Sequence, residues 1–229
     1  MDAIDIAITQ YLNSFVGTSV RLDRIILEVL QLNTMKMMPM VAIMVWLWFS
    51  GSQLNTRKAV FSGFAGGFIA LVLTRLIQNL APHRPRPALD ESLNFSLPTG
   101  GYTNDWSSFP SDTAGLAFAM ALGIWLASRR LGILGFLWAT FVISFPRLYG
   151  GYHYMSDLLA GAVIGMASTY VFWRWHRISD PLFDTTMTLH HKHAPWFYAL
   201  AFVVAFQTST YFGDIRSTGQ KLLHSIGAK

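Results

Sequence analysis

Six apolar stretches recur along this chain and restrict it to folds that a lipid bilayer can hold. They run over about Met35–Ser50, Ala59–Leu80, Ala114–Ala127, Leu131–Phe145, Met155–Trp173 and Trp196–Phe212. A helix that spans a bilayer needs roughly 20 mostly apolar residues. In hydrocarbon the backbone must bond within its own segment, so each stretch is predicted to be a helix. Only "SRR" separates the third stretch from the fourth, which predicts a membrane hairpin. Arg75 lies near the end of the second stretch, within snorkelling reach of the interface. The bulk numbers agree: 52% of the 229 residues are hydrophobic, 13% are charged, and the mean hydropathy is +0.37. Soluble domains carry about 25% charged residues. The expected fold is therefore an all-α, polytopic membrane helix bundle of about six transmembrane helices.

Residues 1–33 read differently. Ile25, Ile26, Val29 and Leu30 alternate with Arg21, Asp23, Arg24 and Glu28, the pattern of an amphipathic helix lying at the membrane surface. The start, "MDAIDIAITQ", has two aspartates and no basic region, so it is not read as a cleavable leader. One domain is expected over 1–229, with a core over 34–175 and an additional helix over 195–213.

The polar stretch 82–112 cannot span, because its Pro, Gly, Ser and Asp residues break helix and sheet alike. Counting helix ends from it places 82–87, 109–113 and 147–157 on one face. The opposite loops carry Arg57, Lys58, Arg129, Arg130, Arg174, Arg177 and Lys192. The excess of Lys and Arg marks that side as cytoplasmic, which turns the polar face to the periplasm or exterior of a plasma membrane. Arg84, Arg86 and Arg147 run against this count, as do Arg216, Lys221 and Lys229 of the tail. The net charge of +5 is scattered among apolar runs and does not form a nucleic-acid surface. The chain has no cysteine, so thiolate chemistry and disulfides are excluded.

The polar face gathers Arg84 and Arg86, then Ser111, then Arg147, His153 and Asp157. Guanidinium forks suit the several acceptor oxygens of a phosphate. Ser111 adds a hydroxyl, and the helix that follows it offers unbonded N–H groups and the positive end of its dipole. Histidine beside a bound phosphate is a candidate nucleophile, and a carboxylate can orient it. "TLHHKH", with His190, His191 and His193, lacks a carboxylate or cysteine pattern and is read as a solvated loop rather than a metal site. Gly63 with Gly67 and Gly161 with Gly165 give the spacing of close helix packing, within one bundle or at a dimer face.

Three segments carry a family resemblance. "RLYGGYHYMSD" has the pattern R-x5-H-x3-D, "FPSD" stands at 109–112, and "RPRP" stands at 84–87. Together they resemble the signature motifs of the type 2 phosphatidic acid phosphatase superfamily. The resemblance covers about residues 20–175, including "MVWLWFSG" and "DLLAGAVIG", and looks closest to bacterial undecaprenyl-diphosphate phosphatases. It implies a lipid phosphatase that needs neither cofactor nor metal. Its partners are a phosphorylated lipid substrate and membrane lipid. By that resemblance His153 attacks phosphorus and forms a phosphohistidine, and Asp157 orients it. Arg84 or Arg86, Ser111 and Arg147 hold the phosphate oxygens.

The chain departs from the family pattern in three places. The first motif's lysine is Asn79 counted from Arg86, or Ile77 counted from Arg84. The second motif's histidine, the general acid, is Thr113, and Pro146 replaces a serine before Arg147. Expelling an alkoxide, whose parent pKa is near that of water at about 15.7, needs a proton. Expelling a lipid monophosphate, with a second pKa of about 6, needs little help. Thr113 therefore favours a lipid diphosphate as substrate. His83 is a weaker alternative proton source. Two other readings stand beside hydrolysis: a weakened relative that binds phosphorylated lipid, and a phosphotransferase with an acceptor pocket in 88–106.

Overall fold

The computed structural model describes residues 3–50, 53–90, 93, 95–96 and 107–213. Most of the 88–106 segment and the tail arginine and lysines lie outside these residues. All regular structure among the described residues is helical. The helices are α1 (Ala3–Asn13), α2 (Val20–Gln31), α3 (Asn33–Ser50), α4 (Leu54–Leu80), α5 (Asp112–Ala127), α6 (Arg129–Leu137), α7 (Phe145–Tyr149), α8 (Met155–Arg174), α9 (His176–Lys192) and α10 (Ala194–Ser209).

α5 sits at the centre. It is apolar all round, as a helix enclosed by others must be, and it packs on α4, α6 and α8. Small residues allow the close approach. A Cβ on Gly161 would lie 2.2 Å from the Ser111 carbonyl oxygen, and one on Gly165 would lie 2.0 Å from that of Gly115. α5 and α8 thus touch through backbone, which fixes the first turn of each against the other.

The outer surface is apolar. Phe68, Phe141, Val163 and Phe202 are each more than half exposed. Such a belt on α4, the π-helical stretch after α6, α8 and α10 is stable only against lipid. The chain is an integral membrane protein.

Among the described residues, three helical stretches are long and apolar enough to cross a membrane: Leu54–Leu80, Arg129–Tyr149 and Met155–Arg174. α2 and α3 pass that test only together, bent by 60°. This differs from six independent spans. α5 is apolar but short, and α10 has only 16 residues. At about 1.5 Å per residue, such helices fall short of a ~30 Å hydrocarbon core.

Four further differences have local causes. Residues 3–32 form two helices, because Gly17, with φ of +85°, turns the chain between them. The helix begun by α6 continues through a π-helical stretch, Trp138–Ser144, into α7, so Arg147 ends a helix instead of starting a loop. Arg75 has partners that the sequence did not show. It bonds Asp112 Oδ2 at 2.8 Å and Gln78 Oε1 at 2.9 Å. His190 and His191 form the last turn of α9, not a loop, and His190 packs against Phe197 at 4.5 Å and near Trp48 at 6.3 Å.

Candidate active site

The site is built where α7 ends and α8 begins. Gly150 and Gly151 turn the chain, and Gly151 has a φ of +72°, a left-handed conformation that an L side chain rarely adopts. The turn folds back on itself: the N–H groups of Tyr152 and His153 both donate to the Arg147 carbonyl, at 2.9 and 3.3 Å. Ala88 N–H donates to the Gly151 carbonyl at 3.0 Å, which seats the first polar loop beside this turn. Asp157 lies in the first turn of α8, where its Oδ2 accepts the Tyr154 N–H at 2.8 Å.

His153 is 1% exposed. Its Nδ1 lies 2.8 Å from the Ser108 carbonyl oxygen and 3.7 Å from Asp157 Oδ2. A carbonyl can only accept, so Nδ1 carries the proton and Nε2 keeps its lone pair. The direct tautomer-fixing contact is therefore a backbone carbonyl, with the carboxylate behind it. Burial lowers the His153 pKa. Asp157 opposes the shift, and the positive charges of Arg86 and Arg147 add to it. The imidazole is thus neutral near pH 7.

The two arginines of "RPRP" have different surroundings. Arg84 is engaged by carboxylates: one terminal nitrogen lies 2.5 Å from Asp157 Oδ1 and 2.8 Å from Ser156 Oγ, the other 2.9 Å from Asp5 Oδ2. Its guanidinium also stacks 4.3 Å from the centre of the Tyr154 ring. Arg86 bonds the Tyr152 carbonyl at 3.1 Å and is 8% exposed, like Arg147. Burial, then repulsion from Arg147, pushes the Arg86 guanidinium down to about 10, so it stays charged at neutral pH. Asp112 and Asp157 also feel its field.

Ser111 is fully buried and caps α5. Its Oγ accepts from the Ala114 N–H at 3.4 Å, and its own N–H donates to the Asp157 carbonyl at 2.9 Å. It joins the second motif to the third. Thr113 is buried one residue into the helix, with its N–H 2.8 Å and its hydroxyl 3.4 Å from Asp112 Oδ1. The structure thus brings all seven sequence-predicted residues to one end of the bundle.

Sequence reasoning missed five contributors. Ser108 acts through its main chain, for which no side-chain pattern exists. Ser156 donates its N–H to Asp5 Oδ1 at 3.0 Å and its hydroxyl to Oδ2. Asp5 is 6% exposed. Burial pushes its pKa up, but bonds from Ser156 and Arg84 outweigh that and hold it below the usual carboxylate range. Arg75, with Asp112, braces the start of α5. The one legible signal was Asp5 itself, an acid in an apolar helix. Among the described residues no cluster of His, Cys, Asp or Glu is suited to a metal ion.

Helical architecture, lipid-facing belt and an arginine–histidine–carboxylate site together define a membrane phosphatase. The chain belongs to the PAP2 superfamily, which it matches over residues 58–180, more than half its length. It is 26% identical over 152 residues to the undecaprenyl-diphosphatase BcrC of Bacillus subtilis, covering 65% of this chain and 73% of that protein. It is 32% identical over 112 residues to the lipid A 4'-phosphatase of Bacteroides thetaiotaomicron, 48% of each chain. It is 26% identical over 166 residues to the lipid A 1-diphosphate synthase of Escherichia coli, 69% of this chain and 68% of that one. No solved structure matches it. The chain is a membrane lipid phosphatase by class.

Proposed function

We propose that the protein hydrolyses a lipid diphosphate, of polyprenyl type, at the extracytoplasmic face through a phosphohistidine. The observation that carries this reading is the pairing of Arg86 with Arg147. Both guanidiniums are nearly buried, lie close enough to act on each other, and both act on the buried His153. Two guanidinium forks at one histidine suit the several acceptor oxygens of a phosphate.

His153 Nε2 attacks the terminal phosphorus. The bond from that phosphorus to the bridging oxygen breaks, and its electron pair leaves on the lipid monophosphate. Arg86 and Arg147 neutralise the charge on the transferring oxygens, with the Ser111 hydroxyl beside them. Asp157 offsets the positive charge of the phosphorylated imidazole. Water then attacks phosphorus, the N–P bond breaks back to His153, and inorganic phosphate departs. Thr113 supplies no proton near pH 7, which suits a leaving group that needs none. The undecaprenyl-diphosphatase relative supports this substrate class. The basic residues of the opposite loops support the orientation.

Two observations favour other readings. Thr113 and Asn79 fit a weakened relative that holds phosphorylated lipid without turning it over. The diphosphate synthase relative fits transfer to an acceptor other than water.

The experiment is phosphate release by purified protein in detergent, comparing undecaprenyl diphosphate with phosphatidic acid. The expected result is release from the diphosphate at least 10²-fold faster, abolished by His153→Ala. Equal rates on both lipids would overturn the substrate class. Release that survives His153→Ala would overturn the nucleophile.

A further inference from the structure

The superfamily match begins at residue 58, so α1 lies outside it. Yet α1 reaches the site. It packs on α7 and α8, with Ile8 and Leu12 against the cluster of Ala114, Leu148 and Leu158. Asn13 at its other end exchanges two bonds with the Ser96 backbone, at 2.7 and 2.9 Å.

These contacts would hold α1 down without help from a buried carboxylate. Desolvating Asp5 is costly, and the cost is offset only by its bonds to Arg84 and Ser156. Arg84 in turn orients His153 from two sides. Its carbonyl accepts the Ser108 N–H at 2.9 Å, and the Ser108 carbonyl takes the His153 Nδ1 proton. Its guanidinium grips Asp157 Oδ1, while Asp157 Oδ2 faces Nδ1. With Asp5 in place the guanidinium is shared between two carboxylates. Without it, half of the fork loses its anion and turns toward any phosphate beside Arg86.

We propose that α1 is a working part of the site, with Asp5 as a positioning residue that keeps Arg84 on Asp157 and thereby sets the bearing of His153. This rests on the phosphohistidine reading above. It assigns Arg84 to alignment and leaves phosphate binding to Arg86 and Arg147.

The test compares Asp5→Asn, Arg84→Gln and the double variant with wild type in the full-length protein. Each single variant is expected to lower kcat on undecaprenyl diphosphate by about 10²-fold with KM unchanged, since small misplacement of a nucleophile costs that much. The double variant should be no worse than the poorer single one, because the residues act as a unit.

A second measurement does not depend on turnover. Orthovanadate, which bonds to an aligned histidine, should bind Asp5→Asn roughly tenfold more weakly, while inorganic phosphate binds as to wild type. Unchanged kcat and vanadate affinity would overturn the proposal. So would multiplying effects in the double variant, or equal loss of both anions with a lowered Tm, which is what a merely stabilising helix would give. If wild type releases no phosphate, the phosphatase reading fails, and the vanadate-to-phosphate ratio still decides the role of Asp5. A wild type that binds neither anion overturns both.

Discussion

Of the chain's three departures from the family pattern, Thr113 is the one that bears on proton supply, and it is a single side chain that can be restored. Thr113→His places a proton donor at the start of α5. Hydrolysis of phosphatidic acid should rise about 10²-fold, while that of undecaprenyl diphosphate changes little, because only the first leaving group needs a proton. Phosphate release from each lipid checks this. On the proposed mechanism the pH profile is set by His153. Its pKa lies below the ordinary 6.5, so the neutral form persists as pH falls past 6.5. The acid limb of kcat/KM should lie below 6.5 and move upward in Arg86→Gln, which removes one of the positive charges that depress it. At this scale the sequence was informative about His153, Asp157 and Arg147, because their spacing alone brings them together. It left Arg84 and Arg86 unresolved. Alternate residues in a loop look alike until the carboxylate of a distant helix selects one.

The contact of α5 with α8 is a backbone contact, and each element fixes the start of the other. Gly165→Ala inserts a methyl where the Gly115 carbonyl already sits. The expected loss is about 1–3 kcal/mol, seen as a lower Tm in detergent. Gly213→Ala, with nothing within 4 Å, should leave Tm unchanged. The Gly161 and Gly165 spacing left packing within the bundle and a dimer face equally open, and the structure puts both glycines against α5. The number of spans was harder to read. An apolar run such as 114–127 has the same composition whether lipid or other helices surround it, and only its length separates the cases. The amphipathic reading of residues 3–32 put Ile25, Ile26, Val29 and Leu30 together; in the structure Ile25 is 62% exposed, while Ile26 and Leu30 are buried against Tyr149. It could not show what the polar side grips: Asp23 accepts bonds from the Tyr149 hydroxyl at 2.6 Å and the Gly17 N–H at 2.9 Å.

For the molecule as a whole, orientation is the property to test, and the absence of cysteine makes that direct. Leu89→Cys, on the site face, should react with a membrane-impermeant maleimide in intact cells. Arg130→Cys, between α5 and α7 on the opposite face, should react only after permeabilisation. The reverse pattern would place the site in the cytoplasm. The same bundle also has an order of assembly. Asp5 is made 151 positions before the Ser156 it grips. At roughly 5–20 residues per second, synthesis leaves that carboxylate waiting on the order of ten seconds. Until α8 has entered the bilayer, Asp5 lacks Ser156 and Arg84 lacks Asp157. On the proposed reading, an unfinished chain in the membrane therefore carries His153 but not its aim.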